Sequence, residues 1–208
     1  MRVGAQLEVA QNRPGQGDRR MTLTRSLLRW LCLALAMVAL SGCAWLKGGP
    51  SSPLLRLSPA SLGRELTVVQ RMDVQAAGQT RSLDVALEAD AESVRMAFMQ
   101  LGQTIARLEW DGQTLTQTLA PGWPEVVSAE RVLSDLQLVW WPTEIVRAGL
   151  PAGWRLVETA QGRTLFKGDN RVVDVRQIAP GHIELIQGAE GYTVQVRSQG
   201  AIPAFSAP

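Results

Sequence analysis

TRSLDVALEA, residues 80–89, alternates apolar Leu83, Val85 and Leu87 with polar Ser82, Asp84 and Glu88. Successive side chains of an extended strand point to opposite faces, so this run has one buried face and one wet face. The same period of two recurs on both sides of it, broken by turn residues. Strands are expected at 65–75, 80–89, 94–101, 104–110 and 113–119, and again at 154–159, 163–166, 171–178, 182–187 and 192–198. Among the connections, Asp111-Gly112 carries the clearest signal, since Asp-Gly suits the two positive-φ positions of a type I′ hairpin.

Between the two groups of strands the period changes. In EVVSAERVLSDLQLVWW, residues 125–141, Val132, Leu133, Leu136, Val139 and Trp140 recur at helical spacing, with Glu130, Arg131, Ser134 and Asp135 opposite. This predicts an amphipathic helix of about four turns, ended by Pro142, with a second helical piece at 143–149. Ten strands interrupted by helix make the chain mainly β with central helices. A sheet of that size tends to curl or split, so the expected architecture is a curved antiparallel sheet, an incomplete β-barrel, with the helices as a lid on its concave face. Incomplete cover by the lid would leave an apolar cavity.

The N-terminal region reads differently. LALAMVALSGCAW, residues 33–45, is the most apolar stretch, yet it falls short of the roughly 20 residues that span a bilayer. Arg19, Arg20, Arg25 and Arg29 precede it, which is the layout of an export signal. Leu40-Ser41-Gly42-Cys43 matches the lipobox, so this region resembles a bacterial lipoprotein precursor; the resemblance implies cleavage before Cys43 and acylation of its thiol and new amino group. The expected organisation is a mis-assigned start or disordered segment at 1–20, a signal peptide at 21–42, a lipid anchor and tether at 43–60, a folded domain at 61–200 and a disordered tail at 201–208. The only other cysteine, Cys32, lies in the signal, so the mature chain is expected to have no disulfide. From Ala44 onward, 15 Lys and Arg face 17 Asp and Glu, a net charge of −2, which gives no reason to expect a nucleic-acid partner.

The chemistry-bearing residues are few. One histidine, His182, and no thiol beyond the acylated one offer no metal site, and neither a G-x-S-x-G elbow nor a phosphate-binding glycine loop occurs. His182 reads as a solvated turn residue, and the pairs Glu88/Asp90 and Glu109/Asp111 as a solvated strand face. No catalytic residue and no cofactor are expected. Tryptophan is the unusual component: Trp45, Trp110, Trp123, Trp140, Trp141 and Trp154 follow or include the acylated cysteine's neighbourhood, and most cluster around the helical insertion. Trp45 suits a membrane interface; the others suit core anchors or a cavity rim. The residues expected to line a cavity are Val85, Leu87, Met96, Phe98, Leu108 and Trp110 from the strands, with Leu133, Leu136 and Trp140 from the lid.

A lipobox, strands, a helical insertion ending in Trp-Pro, and more strands form an order that resembles the LolA and LolB family of periplasmic lipoprotein carriers and outer-membrane receptors. LQLVWWPTEIVRAGLPAGWRL, residues 136–156, is similar to uncharacterised proteobacterial lipoproteins related to LolB that often occur with aryl-polyene synthesis genes. The resemblance implies an outer-membrane lipoprotein on the periplasmic leaflet, a cavity for acylated or polyene-type lipid, and a LolA-like periplasmic carrier as a possible partner. LolB-type receptors also carry a protruding apolar loop between early strands, whereas the early turns here read as polar and tight, which points to a dedicated cargo. The other functions weighed are an accessory lipoprotein that docks an envelope assembly and, behind it, an ester hydrolase centred on His182.

Overall fold

In the computed structural model, which describes residues 51–121, 123 and 128–199, two five-stranded meanders join into one open antiparallel sheet. The expected start, signal peptide, Cys43, Trp45, most of the tether and the tail lie outside the described residues. The first meander comprises β1 (Leu66–Ala76), β2 (Gln79–Ala89), β3 (Val94–Gln100), β4 (Gln103–Trp110) and β5 (Leu115–Leu119). The second comprises β6 (Trp154–Thr159), β7 (Gly162–Lys167), β8 (Asn170–Ala179), β9 (His182–Gln187) and β10 (Tyr192–Gln199). Strand order is β5-β4-β3-β2-β1-β10-β9-β8-β7-β6, so the first and last strands pair at the centre and β5 and β6 form the edges.

The register explains the two faces. Met72 lies opposite both Leu83 and Val196, and Leu87 opposite Met96, so inward positions of neighbouring strands align into one apolar surface. The outward face carries cross-strand ion pairs such as Arg71–Asp84 at 3.2 Å and Arg95–Glu88 at 3.4 Å. Such exposed pairs contribute little, about 0–1 kcal/mol each, so the inward face holds the sheet together.

The type I′ geometry falls elsewhere than expected. Ala77 and Gly78 have φ of 50° and 75°, and Leu101 and Gly102 have 51° and 77°, so these two pairs form the tight hairpin turns. At 111–114 only Gly112 has positive φ. There the Asp111 carboxylate accepts the backbone N–H groups of Gln113 and Thr114 at 2.8 and 2.7 Å, building a wider turn around its side chain.

Helix α1 (Ala129–Trp140) lies on the concave face and α2 (Thr143–Gly149) follows it toward β6. Ser128 caps α1 by accepting the Arg131 N–H at 3.2 Å. At the other end Arg163 of β7 donates to the carbonyls of Leu138 and Trp141 at 3.1 and 2.6 Å. A cation thus satisfies the carbonyls that a helix C-terminus leaves open. The side of α1 carrying Arg131 and Ser134, expected to be solvated, is buried. An extended N-terminal segment covers it.

That segment, 51–62, ends in the 3₁₀ turn Pro59–Leu62 and buries Ser52, Leu55, Leu57 and Leu62, so residues expected as tether up to position 60 belong to the packed domain. Leu55 N–H donates to Ser134 Oγ at 2.9 Å. Gln137 accepts the Leu57 N–H at 3.0 Å and donates to the Leu57 carbonyl at 2.9 Å, reproducing a strand pairing with one side chain. Trp110 Nε1 donates to the same carbonyl at 2.8 Å, and Trp141 Nε1 to the Ser58 carbonyl at 3.1 Å. The strap therefore supplies polar partners that keep α1's outer side out of water.

Gln137→Ala should leave the Leu57 N–H without its partner and open a small void, costing about 2–4 kcal/mol. Hydrogen exchange of the Leu57 amide should accelerate well beyond that of the β1 amides. An unchanged Leu57 rate would mean that Gln137 does not hold the strap.

Candidate functional site

The concave face and α1 do not fill the space between them. A cavity of about 690 Å³ is bounded by Met72, Val74 and Ala76 of β1, Leu83 of β2, Phe98 of β3, Ile105 of β4, Val194 of β10, Val132 of α1, and Trp123. It extends toward the Ala77-Gly78 turn and the Glu190-Gly191 turn, where Gln79, Arg81 and Gln100 add polar edges. Its volume falls within the roughly 300–1,000 Å³ of small-molecule sites. Trp123 packs edge-on against Phe98 with ring centres 5.2 Å apart, closing one wall. A second void of about 50 Å³ lies further along β1, under Leu136, Val139 and Trp140. Met72, Phe98, Val132, Asp135 and Val194 border both spaces.

Asp135 is the chemical exception on this apolar boundary. Its carboxylate accepts hydrogen bonds from Gln187 Nε2 on one oxygen and from the Tyr192 hydroxyl on the other. Gln187 Oε1 in turn accepts from Ser52 Oγ at 3.1 Å, and Arg131 donates to that same hydroxyl oxygen at 2.5 Å and reaches Glu190 at 3.4 Å. The network ties α1, β9, β10 and the strap together. Burial pushes the Asp135 carboxyl up to about 6, against the lowering effect of its two hydrogen bonds and of Arg131. The Tyr192 hydroxyl is pushed above its ordinary range, first by burial and then by the neighbouring Asp135.

Of the nine residues named from sequence as cavity lining, Val85, Leu87, Met96, Phe98, Leu136 and Trp140 border the small void, and Phe98 alone also reaches the large cavity. Leu108, Trp110 and Leu133 are buried but line neither space. Trp110 instead holds the strap through its indole N–H, as does Trp141. Trp154 stands on edge strand β6 with the Lys167 ammonium 5.2 Å from its ring. The residues around the large cavity that sequence reasoning missed include Met72, Val74, Ala76, Leu83, Ile105 and Val194 at ordinary inward strand positions, together with Val132 and Asp135 of α1. A carboxylate one residue before the inward Leu136 was the available signal.

His182 opens β9 with Nε2 3.4 Å from Gln195 Oε1. Glu88 and Asp90 both pair with Arg95, at 3.4 and 3.0 Å. Among the described residues no three His, Cys, Asp or Glu side chains gather to hold a metal ion, and no helix is long and apolar enough to cross a membrane. The β3–β4 turn is tight, as expected, but its tip is not polar: Leu101 is 98% exposed.

Residues 67–200, from β1 onward, match the family model described as a protein of unknown function, DUF3261. No curated protein matches the chain.

The Asp135 environment makes a pH-dependent prediction. An unfolded aspartate ionises near pH 3.9, whereas burial delays ionisation of Asp135 to about pH 6 in the fold. Between those values the native state retains a proton that the unfolded chain has released, so this group's contribution to stability falls as pH rises from about 4 to 6. The shift corresponds to on the order of 3 kcal/mol. Urea unfolding of Asp135→Asn should therefore show its stability rising relative to wild type by about that amount between pH 4 and pH 7.5. A difference constant with pH would show that burial does not govern this carboxyl.

Proposed function

The chain belongs to the DUF3261 family, and from that premise we propose that it is a non-enzymatic lipid-binding protein whose cavity receives the apolar chain of an acylated or polyene-type cargo. The observation that carries this reading is the space of about 690 Å³ left between a curved sheet and its helical lid, walled mainly by apolar side chains. Burial of a chain there contributes roughly 25 cal/mol per Å² of apolar surface removed from water. An open ten-stranded sheet with a helical lid is compatible with a LolA/LolB-like fold. The finer proposal is a LolB-like receptor, anchored through acylated Cys43 in the periplasmic leaflet of the outer membrane and supplied by a LolA-like carrier.

Two further observations support that assignment. The fully exposed Leu101 gives the β3–β4 turn an apolar tip, which a membrane surface would accept. Ser52, the first buried residue of the strap, follows Cys43 by nine residues, a reach of no more than about 32 Å of extended chain. Acyl chains on Cys43 would hold the domain close to the bilayer.

A second reading draws on strand β5. It is an edge strand of five residues, four of them exposed, and such an edge can pair with another chain. On that reading the protein docks an envelope assembly and its cavity stays empty.

Native mass spectrometry of the full chain, purified from membranes in mild detergent, separates the two. Cavity binding predicts one co-purifying amphiphile per protein, reduced in Val74→Trp, which places an indole ring in the space, with the melting temperature little changed. An empty wild-type protein, or cargo retained in full by a folded Val74→Trp variant, would contradict the carrier reading.

A further inference from the structure

We propose that the cavity's ligand carries a hydrogen-bond donor, a hydroxyl or an ammonium group, at its inward end, and that the carboxylate of Asp135 is the residue that selects it. The inference rests on the cavity reading above and adds the chemical class of the ligand.

The cavity has direction. Along β1, Ala76 and Val74 border the large space, Met72 borders both spaces, and Gln70 borders only the small void. A chain entering past the Ala77-Gly78 turn would lie against Val74, Leu83 and Ile105 before reaching the shared boundary. Four of the five boundary residues, Met72, Phe98, Val132 and Val194, are apolar or aromatic; the fifth is Asp135. Beyond it lies the void of about 50 Å³, less than a tenth of the large cavity's volume. A chain long enough to reach this boundary comes to Asp135, the one charged residue among the five.

The carboxylate is set up to accept. Tyr192 and Gln187 give each oxygen one hydrogen bond and fix the plane of the group. An ionised carboxylate has about four lone-pair positions, so each oxygen can accept a further hydrogen bond. Of the charged groups nearby, Arg131 is engaged with Ser52 and the strap and pairs with Glu190 at 3.4 Å, whereas Asp135 is held by the neutral side chains of Tyr192 and Gln187. An inward carboxylate or phosphate would meet like charge, and a purely apolar end would leave the acid desolvated without compensation. A hydroxyl or ammonium group offers the missing donor, and hydrogen bonds to a charged group are the stronger kind. A role limited to tying α1 to β9 and β10 would not discriminate among end groups.

Calorimetric titration of the full chain at pH 7.5 with 1-dodecanol, dodecylamine and laurate tests this at constant chain length. Wild type should bind the alcohol and the amine about tenfold or more tightly than laurate, the value of one charge-assisted hydrogen bond. Asp135→Leu should reduce both to the level of laurate. Asp135→Asn, which keeps a carbonyl acceptor but no charge, should retain part of the preference for the alcohol and lose that for the amine. A wild-type preference for the amine alone would identify charge as the selecting property, and a shared preference the hydrogen bond. Equal binding of all three by wild type, or a preference that survives in both variants, would overturn the role of Asp135 while leaving the cavity reading intact. Failure of all three to bind would overturn the cavity reading itself.

Discussion

The connection between β5 and β6 constrains everything else in this fold. Because β1 pairs with β10, the chain leaves the sheet at one edge and must return at the other. Ten strands laid flat would separate those edges by about 43 Å at the usual spacing between strands. Curling shortens that path and gives the crossing segment a concave surface to lie on. The helices occupy this surface because the topology leaves them no other short route, and a cavity follows wherever they and the inward side chains do not meet.

A helix in that position has no wet side of its own. One side of α1 faces the cavity, and the opposite side, with Arg131, Ser134 and Gln137, must find polar partners without water. The strap provides them as backbone groups at Ser52, Leu55 and Leu57 and buries its own leucines in the same step. Breaking that arrangement would expose both helix and strap, so the two depend on each other. Asp135 is where the compensation is thinnest: two hydrogen bonds do not offset its burial fully, and its carboxyl stays protonated to higher pH than an ordinary aspartate.

The strands were legible in the sequence because their signal is local. Leu83, Val85 and Leu87 show their common face within five residues, and the strand starts and ends follow from the turns. The turn chemistry was less legible. Asp111-Gly112 has the composition of a type I′ pair, but the Asp111 side chain captures two backbone N–H groups and widens the turn, while Ala77 and Leu101 take positive φ beside glycines. The strap was invisible for a different reason: Leu55 and Leu57 find partners about 80 residues away, and no short-range pattern announces contacts at that separation. Inward-facing positions could be read as a set, yet which of them border empty space could not. Leu108, Trp110 and Leu133 face in as firmly as Val85 and are simply covered. Asp135 looked like part of a solvated helix face because the sequence does not show that this helix has none.

The central claim is that an apolar chain occupies the space between β1, β2 and α1. Photo-crosslinking with a hexadecanoyl chain that bears a diazirine, followed by peptide mapping on the membrane-purified protein, tests it most directly. The account predicts adducts at Met72, Val74, Leu83 and Val132, within the cavity walls. Adducts confined to the outward face of the sheet or to strand β5, with none on these residues, would contradict it.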